Sequence, residues 1–175
     1  MLTGRSRRIH DERQPGTLKH QKGLTLLELL VVVAIIGIIA SFAVPSFTSS
    51  IAQARLKLVV ETLRSDLVDA QRSVLAHGAA GTATVIFVDG SSWSYTITGS
   101  KSLDRDHSEF SGSVTMTSGF TNDTFTITQK TQNHQEAATV GSIVVNNTDA
   151  SVTISQSAVG FITVCSDDSM GYPSC

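Results

Sequence analysis

Positive charge is scarce in most of this sequence. The chain of 175 residues has 13 Lys and Arg against 15 Asp and Glu, and six of the basic residues fall within residues 1–23, where only two acidic ones occur. From Leu24 onward, seven basic side chains are set against thirteen acidic ones, a net charge of −6. Nucleic-acid binding depends on neutralising phosphates, so this acidic body lacks the overall basic field that such a function needs.

Cysteine is also scarce, because Cys165 and Cys175 are the only two and both lie in the last eleven residues. In an exported protein such a pair is first interpreted as a disulfide. In the cytosol it would be read as free thiols or half of a metal site, but no cluster of His or Cys lies near it in sequence. We therefore expect no metal and no cofactor.

The sequence lacks any arrangement of residues typical of a catalytic site. The five histidines are spread over the N-terminal segment, a predicted helix end and two polar loops, as His10, His20, His77, His107 and His134. None has a carboxylate or cysteine at a spacing that suggests a general base or an activated nucleophile. We expect a protein that is not an enzyme, with one ordinary globular domain.

A long apolar run occupies Leu24 to Val44, in which only Thr25, Glu28 and Ser41 are polar. As a helix it would be about 31 Å long, close to one hydrocarbon thickness. The basic residues precede it, so the positive-inside rule places residues 1–23 in the cytoplasm and the rest across the membrane. A secretory signal peptide is the alternative, although its apolar core would be shorter and followed by a small-residue cleavage site. A plain single-pass membrane protein also remains open.

Helical periodicity continues beyond Pro45. One apolar stripe advances by steps of three and four residues through Ala52, Leu56, Val59, Leu63, Leu67, Ala70 and Val74. The opposite face carries Arg55, Lys57, Glu61, Arg64, Asp66, Asp69 and Arg72. The pattern predicts one helix over residues 25–77, amphipathic in its second half and ended near Gly78.

After Gly81 the period becomes two, which is typical of strands. The predicted strands are residues 82–88, 93–98, 113–117, 124–129, 141–145, 150–154 and 161–165, with residues 89–92 as a hairpin turn and residues 101–109 and 130–138 as polar loops. The predicted fold class is α+β, with a long N-terminal helix packed on a C-terminal antiparallel β-sheet domain.

The junction Lys22-Gly23-Leu24-Thr25-Leu26-Leu27-Glu28 resembles the type IV prepilin signal of pilins and secretion pseudopilins. The resemblance implies that a prepilin peptidase cuts between Gly23 and Leu24 and methylates the new amino group of Leu24. It also implies that Glu28 pairs with the N-terminal amine of a neighbouring subunit. The alternative for Glu28 is a carboxylate that snorkels to the membrane surface without a partner. Leu24 departs from the more frequent Phe, and a start codon near Leu18 would shorten the leader without changing this interpretation.

This resemblance implies four regions. They are a leader at 1–23, a transmembrane and assembly helix at 24–45, the amphipathic second half of the helix at 46–78 and a periplasmic β-sheet domain at 79–175. Gly37 and Pro45 correspond to positions that weaken the helix in these proteins. Two readings remain for them, namely a segment that bends or melts on moving from bilayer to filament, and a static kink at the membrane surface.

The region after the helix resembles the GspH/FimT family of minor pilins and pseudopilins, through the hairpin from Val85 to Trp93 and the segment from Ser157 to Cys165. The resemblance implies a structural subunit at or near the tip of a type IV pilus or type II secretion pseudopilus. It would start in the bacterial inner membrane and have the prepilin peptidase and other pilins as partners.

The alternative function is a competence-type minor pilin that binds DNA for uptake. DNA-binding members of the family have arginines after the late glycine, whereas Phe161 and Thr163 occupy those places here. A basic patch could still be assembled from Lys101, Arg105 and Lys130.

A Cys165–Cys175 disulfide in the periplasm would close a loop of residues 166–174 and order the C-terminal tail. Asp167 and Asp168 in this loop could help to bind calcium. A solvated turn is favoured, since other oxygen ligands are not evident.

Overall fold

The structure is a computed structural model that describes residues 24–110, 112–167 and 170–175, except for the side chains of residues 43–45. The predicted leader, residues 1–23, lies outside the described residues together with Gly23 of the predicted cleavage site, as does Asp168. The chain divides into two compact units, residues 1–41 and residues 42–175.

One long helix, α1, spans Leu26–Ala76 and confirms the helix predicted over residues 25–77. It begins at Thr25, whose hydroxyl accepts a hydrogen bond from the backbone N–H of Glu28 at 3.2 Å. It ends just before Gly78, which has a φ of +63°, a conformation that glycine adopts without a Cβ penalty. Among the described residues, α1 is the helix that is long and apolar enough to cross a membrane.

The part of α1 in the second unit buries one stripe of side chains. Leu56, Val59, Leu63, Leu67, Ala70 and Val74 are all buried, as the helical periodicity predicts, and Ala52 is half-buried. The stripe packs into the same hydrophobic core as the β-strands of this unit. The α+β fold class is therefore confirmed.

Eight strands follow α1 in the second unit. They are β1 (Thr82–Val88), β2 (Ser94–Gly99), β3 (Leu103–Asp106), β4 (Thr115–Ser118), β5 (Thr124–Thr128), β6 (Gly141–Asn146), β7 (Ser151–Gln156) and β8 (Ile162–Cys165). They form two four-stranded sheets with the orders β3-β2-β1-β5 and β4-β6-β7-β8. Every pairing is antiparallel.

The predicted hairpin is confirmed, since β1 pairs with β2 in a register that places Val88 opposite Ser94. At its turn, Gly90 and Met116 exchange two backbone hydrogen bonds of 2.9 and 3.2 Å. This bridge links the end of the hairpin in the first sheet to β4 in the second sheet. Four strands thus belong to each sheet, and side chains of both sheets and of α1 form one hydrophobic core.

Aromatic side chains fill much of this core. Trp93, the only tryptophan, is buried next to Tyr95 and Phe110, and its indole N–H donates to the carbonyl of Val114 at 3.1 Å. Phe87, Phe120 and Phe125 pack together with ring centroids 4.5 to 6.2 Å apart. Buried aromatic groups of this size contribute a large apolar area to stability.

Two segments predicted as polar loops contain regular structure. Residues 101–109 include β3, where Leu103 and Arg105 turn toward the core side while Asp104 and Asp106 are exposed. Residues 130–138 overlap the one-turn helix α2 (Gln129–Gln132), which Thr128 caps through a capping box with Thr131. Both elements are rich in charged and polar side chains, so the pattern of apolar residues did not predict them.

Asp66 was expected on the solvent-exposed face of α1, and this expectation is wrong. Its side chain is buried, with 7% of the residue exposed. The hydroxyl of Tyr95 donates to its Oδ2 at 2.8 Å, and Nε of Arg105 lies 3.2 Å from the same oxygen. The carboxylate is buried because the first sheet supplies both a hydroxyl and a cation for it.

Candidate assembly segment and polar contacts

Residues 24–41 form a helical segment, here called the apolar segment, whose side chains are all exposed within the structure. The exposed fraction of its large aliphatic side chains ranges from 46% at Val31 to 81% at Leu26. A contiguous apolar surface of this extent is unfavourable in water and marks a contact with lipid or with other protein.

Glu28 is in the first turn of α1, where a negative charge interacts favourably with the helix dipole. Its backbone N–H is bonded to Thr25 Oγ1, and the next N–H, of Leu29, donates to the Thr25 carbonyl at 3.1 Å. The exposed carboxylate forms no ion pair with any residue in the part of the chain that the structure describes. Among the described residues, then, the carboxylate of Glu28 has no cationic partner.

Thr25 is a structural residue of this segment that the sequence interpretation missed. Its hydroxyl caps the helix and so fixes the backbone that carries Glu28. The signal was present, because Thr25-x-x-Glu28 is the spacing of a capping box.

Ser41, a further polar residue of the apolar segment, is hydrogen-bonded within the helix. The hydroxyl of Ser41 donates to the carbonyl of Ile38 at 2.7 Å, so it adds no unsatisfied group to the surface. At Gly37 an added Cβ would meet nothing within 4 Å. The helix continues through Gly37 and Pro45, and the role of both in flexibility stays a prediction.

Cys165 and Cys175 form the disulfide that the sequence suggests. The tail that it closes returns to β8, where the N–H of Ser166 donates to the carbonyl of Pro173 at 2.9 Å. The hydroxyl of Tyr172 donates to Oε1 of Glu61 on α1 at 2.7 Å, and burial together with this bond raises the pKa of Tyr172. The tail is thus attached to both β8 and α1.

Asp167, one of the two candidate calcium ligands, is exposed, whereas Asp168 lies outside the described residues. Within residues 24–110, 112–167 and 170–175, no three His, Cys, Asp or Glu side chains lie close enough together to hold a metal ion.

The three cations of the possible basic patch are all in contact with carboxylates. Lys101 lies 3.3 Å from Asp69, and Lys130 lies 2.8 Å from Glu136, which raises the pKa of Lys130. Arg105 contacts Glu109 at 2.8 Å as well as Asp66, and both hydrogen bonds raise its pKa further. These ion pairs weaken the local positive potential that phosphate binding requires.

The late glycine, Gly160, is in the turn before β8 with a φ of +82°. Its carbonyl accepts a hydrogen bond from Nε2 of Gln71 on α1 at 2.8 Å. Phe161 is exposed beside His134, with ring centroids 5.8 Å apart, and Thr163 is exposed on β8. The two positions that the sequence comparison with DNA-binding pilins singles out therefore present an aromatic ring and a hydroxyl.

Residues 18–44 match the family model described as the prokaryotic N-terminal methylation motif. This match covers the predicted cleavage junction and the apolar segment. Over these residues the chain is thus similar to prokaryotic proteins that carry an N-terminal methylation motif.

Two fimbrial proteins illustrate the similarity. Fimbrial protein EcpB from Eikenella corrodens is 45% identical over 62 residues, which cover 35% of this chain and 38% of that protein. Type IV major fimbrial protein FimA from Dichelobacter nodosus is 57% identical over 35 residues, which cover 20% of this chain and 22% of that protein. The chain thus spans well under half the length of the curated relatives that it matches. No solved structure matches the chain.

Taken together, the motif and the fimbrial relatives make the chain type IV prepilin-like. Both relatives are fimbrial proteins by name, and neither name denotes an enzyme. More than half of the second unit lies outside each match, since the longer of the two covers 62 residues.

Proposed function

We propose that this chain is a filament subunit that is cut between Gly23 and Leu24 by a prepilin peptidase, methylated on Leu24, and assembled through its N-terminal helix. The observation that carries the proposal is that the methylation motif and the exposed apolar segment occupy the same part of the chain. The methylation motif at residues 18–44 falls on the segment in which every described side chain through residue 41 is exposed and nearly all are apolar.

The apolar segment gives the subunit two successive environments. Before assembly the bilayer covers it, since residues 24–45 are long enough to cross the hydrocarbon. In the filament, helices of neighbouring subunits replace the lipid. Glu28 favours the second state, because a carboxylate at the edge of the membrane costs free energy that pairing with a neighbour's N-terminal amine recovers.

The positive charge of the leader sets the orientation of the chain in the membrane. Its six basic residues hold residues 1–23 in the cytoplasm, and the second unit is exported to the periplasm from the inner membrane. The Cys165–Cys175 disulfide supports this direction, because disulfides form and persist in oxidising compartments. The chain thus has four functional regions, with the leader at 1–23, the assembly helix at 24–45, its amphipathic continuation at 46–78 and the periplasmic domain at 79–175.

Within the pilin-like proteins, we assign the chain to the minor subunits of the GspH/FimT type, at or near the tip of a type IV pilus or type II secretion pseudopilus. The buried Trp93 beside the β1–β2 hairpin and the Gly160 turn before β8 support this assignment. A role as the major subunit is less well supported, because the match to the major fimbrial protein covers only 22% of that protein. The carboxylates paired with Lys101, Arg105 and Lys130 disfavour the alternative of DNA uptake.

Processing tests the proposal directly. Co-expression with a prepilin peptidase should shorten the wild-type chain by the 23 residues of the leader, and Gly23→Ala should abolish the shift on a gel. Gly37→Ala is the matched control, because the same substitution enters open space within the helix and should leave processing intact. Equal processing of Gly23→Ala and the wild type would contradict the proposal.

A further inference from the structure

We propose that the second unit carries a binding site for a zwitterionic phospholipid headgroup, in which Arg55 binds the phosphate and Asp149 binds the ammonium group. This inference rests on the proposed function, because it requires residues 24–45 to lie in a bilayer. Its basis is a polar pocket beside α1 that has one cation and one carboxylate next to it.

The pocket has a volume of about 50 Å³. Its lining comes from α1, from the segment before β4 and from the turn after β6, and includes Ala52, Arg55, Gly112, Ser113, Asn147 and Thr148. One water molecule needs about 10–15 Å³, so the pocket has room for a group of several atoms. The guanidinium of Arg55 and the hydroxyl of Ser113 are hydrogen-bond donors that an oxyanion such as phosphate can accept from.

Arg55 is the cation of the pocket. Its side chain is exposed, and within residues 24–110, 112–167 and 170–175 it forms no ion pair with a carboxylate. It lies against Gly112, where an added Cβ would be 2.9 Å from Cδ and 3.3 Å from Nη1 of Arg55. Gly112 has a φ of +123°, so a residue with a Cβ would be strained there as well. The glycine thus allows the guanidinium to lie close to the backbone at the pocket.

The turn after β6 forms the opposite wall and is held in place by Asn147. Nδ2 of Asn147 donates to the carbonyl of Ala52 at 3.0 Å, and its Oδ1 accepts from the N–H groups of Asp149 and Ala150 at 2.9 and 2.8 Å. The hydroxyl of Thr148 donates to Oδ1 of Asp149 at 3.2 Å. A carboxylate therefore lies beside the pocket, and it has no ion pair with any residue that the structure describes.

The next cation along α1 belongs to a different side of the helix. Lys57 is two residues after Arg55 and therefore about 200° further round the helix. Its amine is 5.7 Å from the ring centroid of Tyr172 in the disulfide-closed tail. The hydroxyl of Tyr172 is bonded to Glu61, so the tail, with Asp167 and the C-terminal carboxylate, is attached to α1 on the side of Lys57.

The carboxylates that precede the segment before β4 have partners of their own. Asp106 accepts from the N–H of Ser108 at 2.7 Å, and Glu109 pairs with Arg105 at 2.8 Å. The pocket is thus left with one positive and one negative side chain that lack ionic partners among the described residues. This pair matches a headgroup that carries both a phosphate and an amine better than it matches a plain anion.

The position of Arg55 in the chain brings the pocket near the expected membrane surface. In the proposed function the hydrocarbon ends near Pro45, which precedes Arg55 by about 15 Å of helix. A helical side chain extends back over the preceding turn, so the guanidinium is near the level of Ala52, about 10 Å beyond Pro45. The headgroup layer on each side of a bilayer is about 5–8 Å thick. A headgroup at this surface is therefore within reach of the pocket.

Two-dimensional NMR of the isotope-labelled full chain in detergent tests the site. The probe is dihexanoyl phosphatidylethanolamine, a soluble lipid that has the proposed headgroup. Its addition should shift the amide signals of Gly112, Ser113 and Thr148 until the site is saturated. Arg55→Gln should weaken this binding about fivefold, because it removes the charge that binds the phosphate.

Arg72→Gln is the matched control. Arg72 is also an exposed arginine of α1, but it pairs with Asp69 and does not line the pocket. This variant should bind the lipid as the wild type does. Amide signals that do not saturate, or equal binding by Arg55→Gln and the wild type, would overturn the site.

Two probes without an amine separate a headgroup site from a plain anion site. Dihexanoyl phosphatidylglycerol and inorganic phosphate should each bind about fivefold more weakly than dihexanoyl phosphatidylethanolamine, because neither supplies a cation for Asp149. Asp149→Asn should remove the difference between the two lipids. Binding of either amine-free probe as tight as that of dihexanoyl phosphatidylethanolamine would contradict the proposed headgroup.

Leader removal by a prepilin peptidase is measured on the same preparation. A chain that the peptidase shortens, but that gives no saturable shifts with the lipid, refutes the headgroup site alone. A chain that keeps its leader refutes the proposed function instead.

Discussion

The two halves of α1 belong to the same helix but differ in the distribution of their apolar side chains. Residues 24–41 are apolar on every side and exposed, whereas the part in the second unit is apolar on one stripe, and that stripe is buried. A helix that is apolar all round needs lipid or other helices around it, and an amphipathic helix is satisfied by one packed face. The comparison teaches that the second half stabilises the folded unit, while the first half is available for contacts with other molecules.

The largest expected effect is a difference in the free energy of unfolding when the same substitution, Leu to Ala, is made in each half of α1. Leu63→Ala should lower the free energy of unfolding of the second unit by about 2–5 kcal/mol, because Leu63 is completely buried and its truncation leaves a cavity. Leu30→Ala in the apolar segment should leave it unchanged. Denaturant unfolding of the detergent-solubilised chain, followed by the fluorescence of Trp93, measures both. Equal losses in the two variants would remove the distinction between the halves.

A second pair of substitutions asks whether the charged face of α1 is uniform. Asp66→Ala should cost about 2–3 kcal/mol, because it leaves the Tyr95 hydroxyl and Arg105 without their shared acceptor. Asp69→Ala should cost less than about 1 kcal/mol, since its carboxylate is 44% exposed and its pairs with Arg72 and Lys101 are near the surface. Similar costs for both variants would show that the burial of Asp66 contributes little.

Alkaline pH should act on the same contact between α1 and the first sheet. Burial, and then the hydrogen bond to Asp66, raise the pKa of Tyr95 above its ordinary value of 10.0. A group whose pKa is raised by folding contributes stability that is complete below its unfolded pKa and declines above it. The free energy of unfolding should therefore decrease as pH rises above about 10, and the decrease should be smaller in Tyr95→Phe.

The pKa of Tyr172 is raised in the same direction, so Tyr172→Phe should also flatten the profile. The variant Tyr95→Phe/Tyr172→Phe separates these tyrosines from the remaining groups. An identical pH profile for this double variant and the wild type would show that neither tyrosine causes the alkaline loss.

The smallest expected effect is a gain in stability in the second unit. Gln156 is buried with 4% of its surface exposed, and neither polar atom of its side-chain amide has a partner among the described residues. It lies among apolar side chains that include Leu67, Phe125 and Ile143. Gln156→Met should stabilise the unit by about 1 kcal/mol, because it removes an unsatisfied amide and keeps a similar volume. A loss of stability, measured by the same unfolding assay, would show that the amide has a bonding role.

The parts of the fold that local patterns determine were predictable. The bounds of α1 differ from the prediction by one residue at each end, and β1 was predicted with its observed bounds, Thr82–Val88. The apolar stripe of the second half was also correct, since helical spacing alone selects its residues. For the candidate site, the same reasoning recovered the apolar segment and the disulfide.

The errors involve contacts between residues distant in sequence. Asp66 is buried because Tyr95 and Arg105, 29 and 39 residues further along, reach its carboxylate. β3 was missed for the same reason, since Arg105 turns inward only where Asp66 is there to pair with it. The division of the strands between two sheets depends on pairings that alternation within one strand does not specify. No pattern within a single element contains this information.

The mass and N-terminal sequence of the chain recovered from sheared surface filaments test the central claim most directly. The account predicts a chain that begins at Leu24, with one methyl group on its amine and the Cys165–Cys175 disulfide intact. It also predicts that Glu28→Gln is processed normally but recovered in filaments in much smaller amount. A chain that remains in the membrane fraction with residues 1–23 attached, while the filaments form without it, would contradict the account.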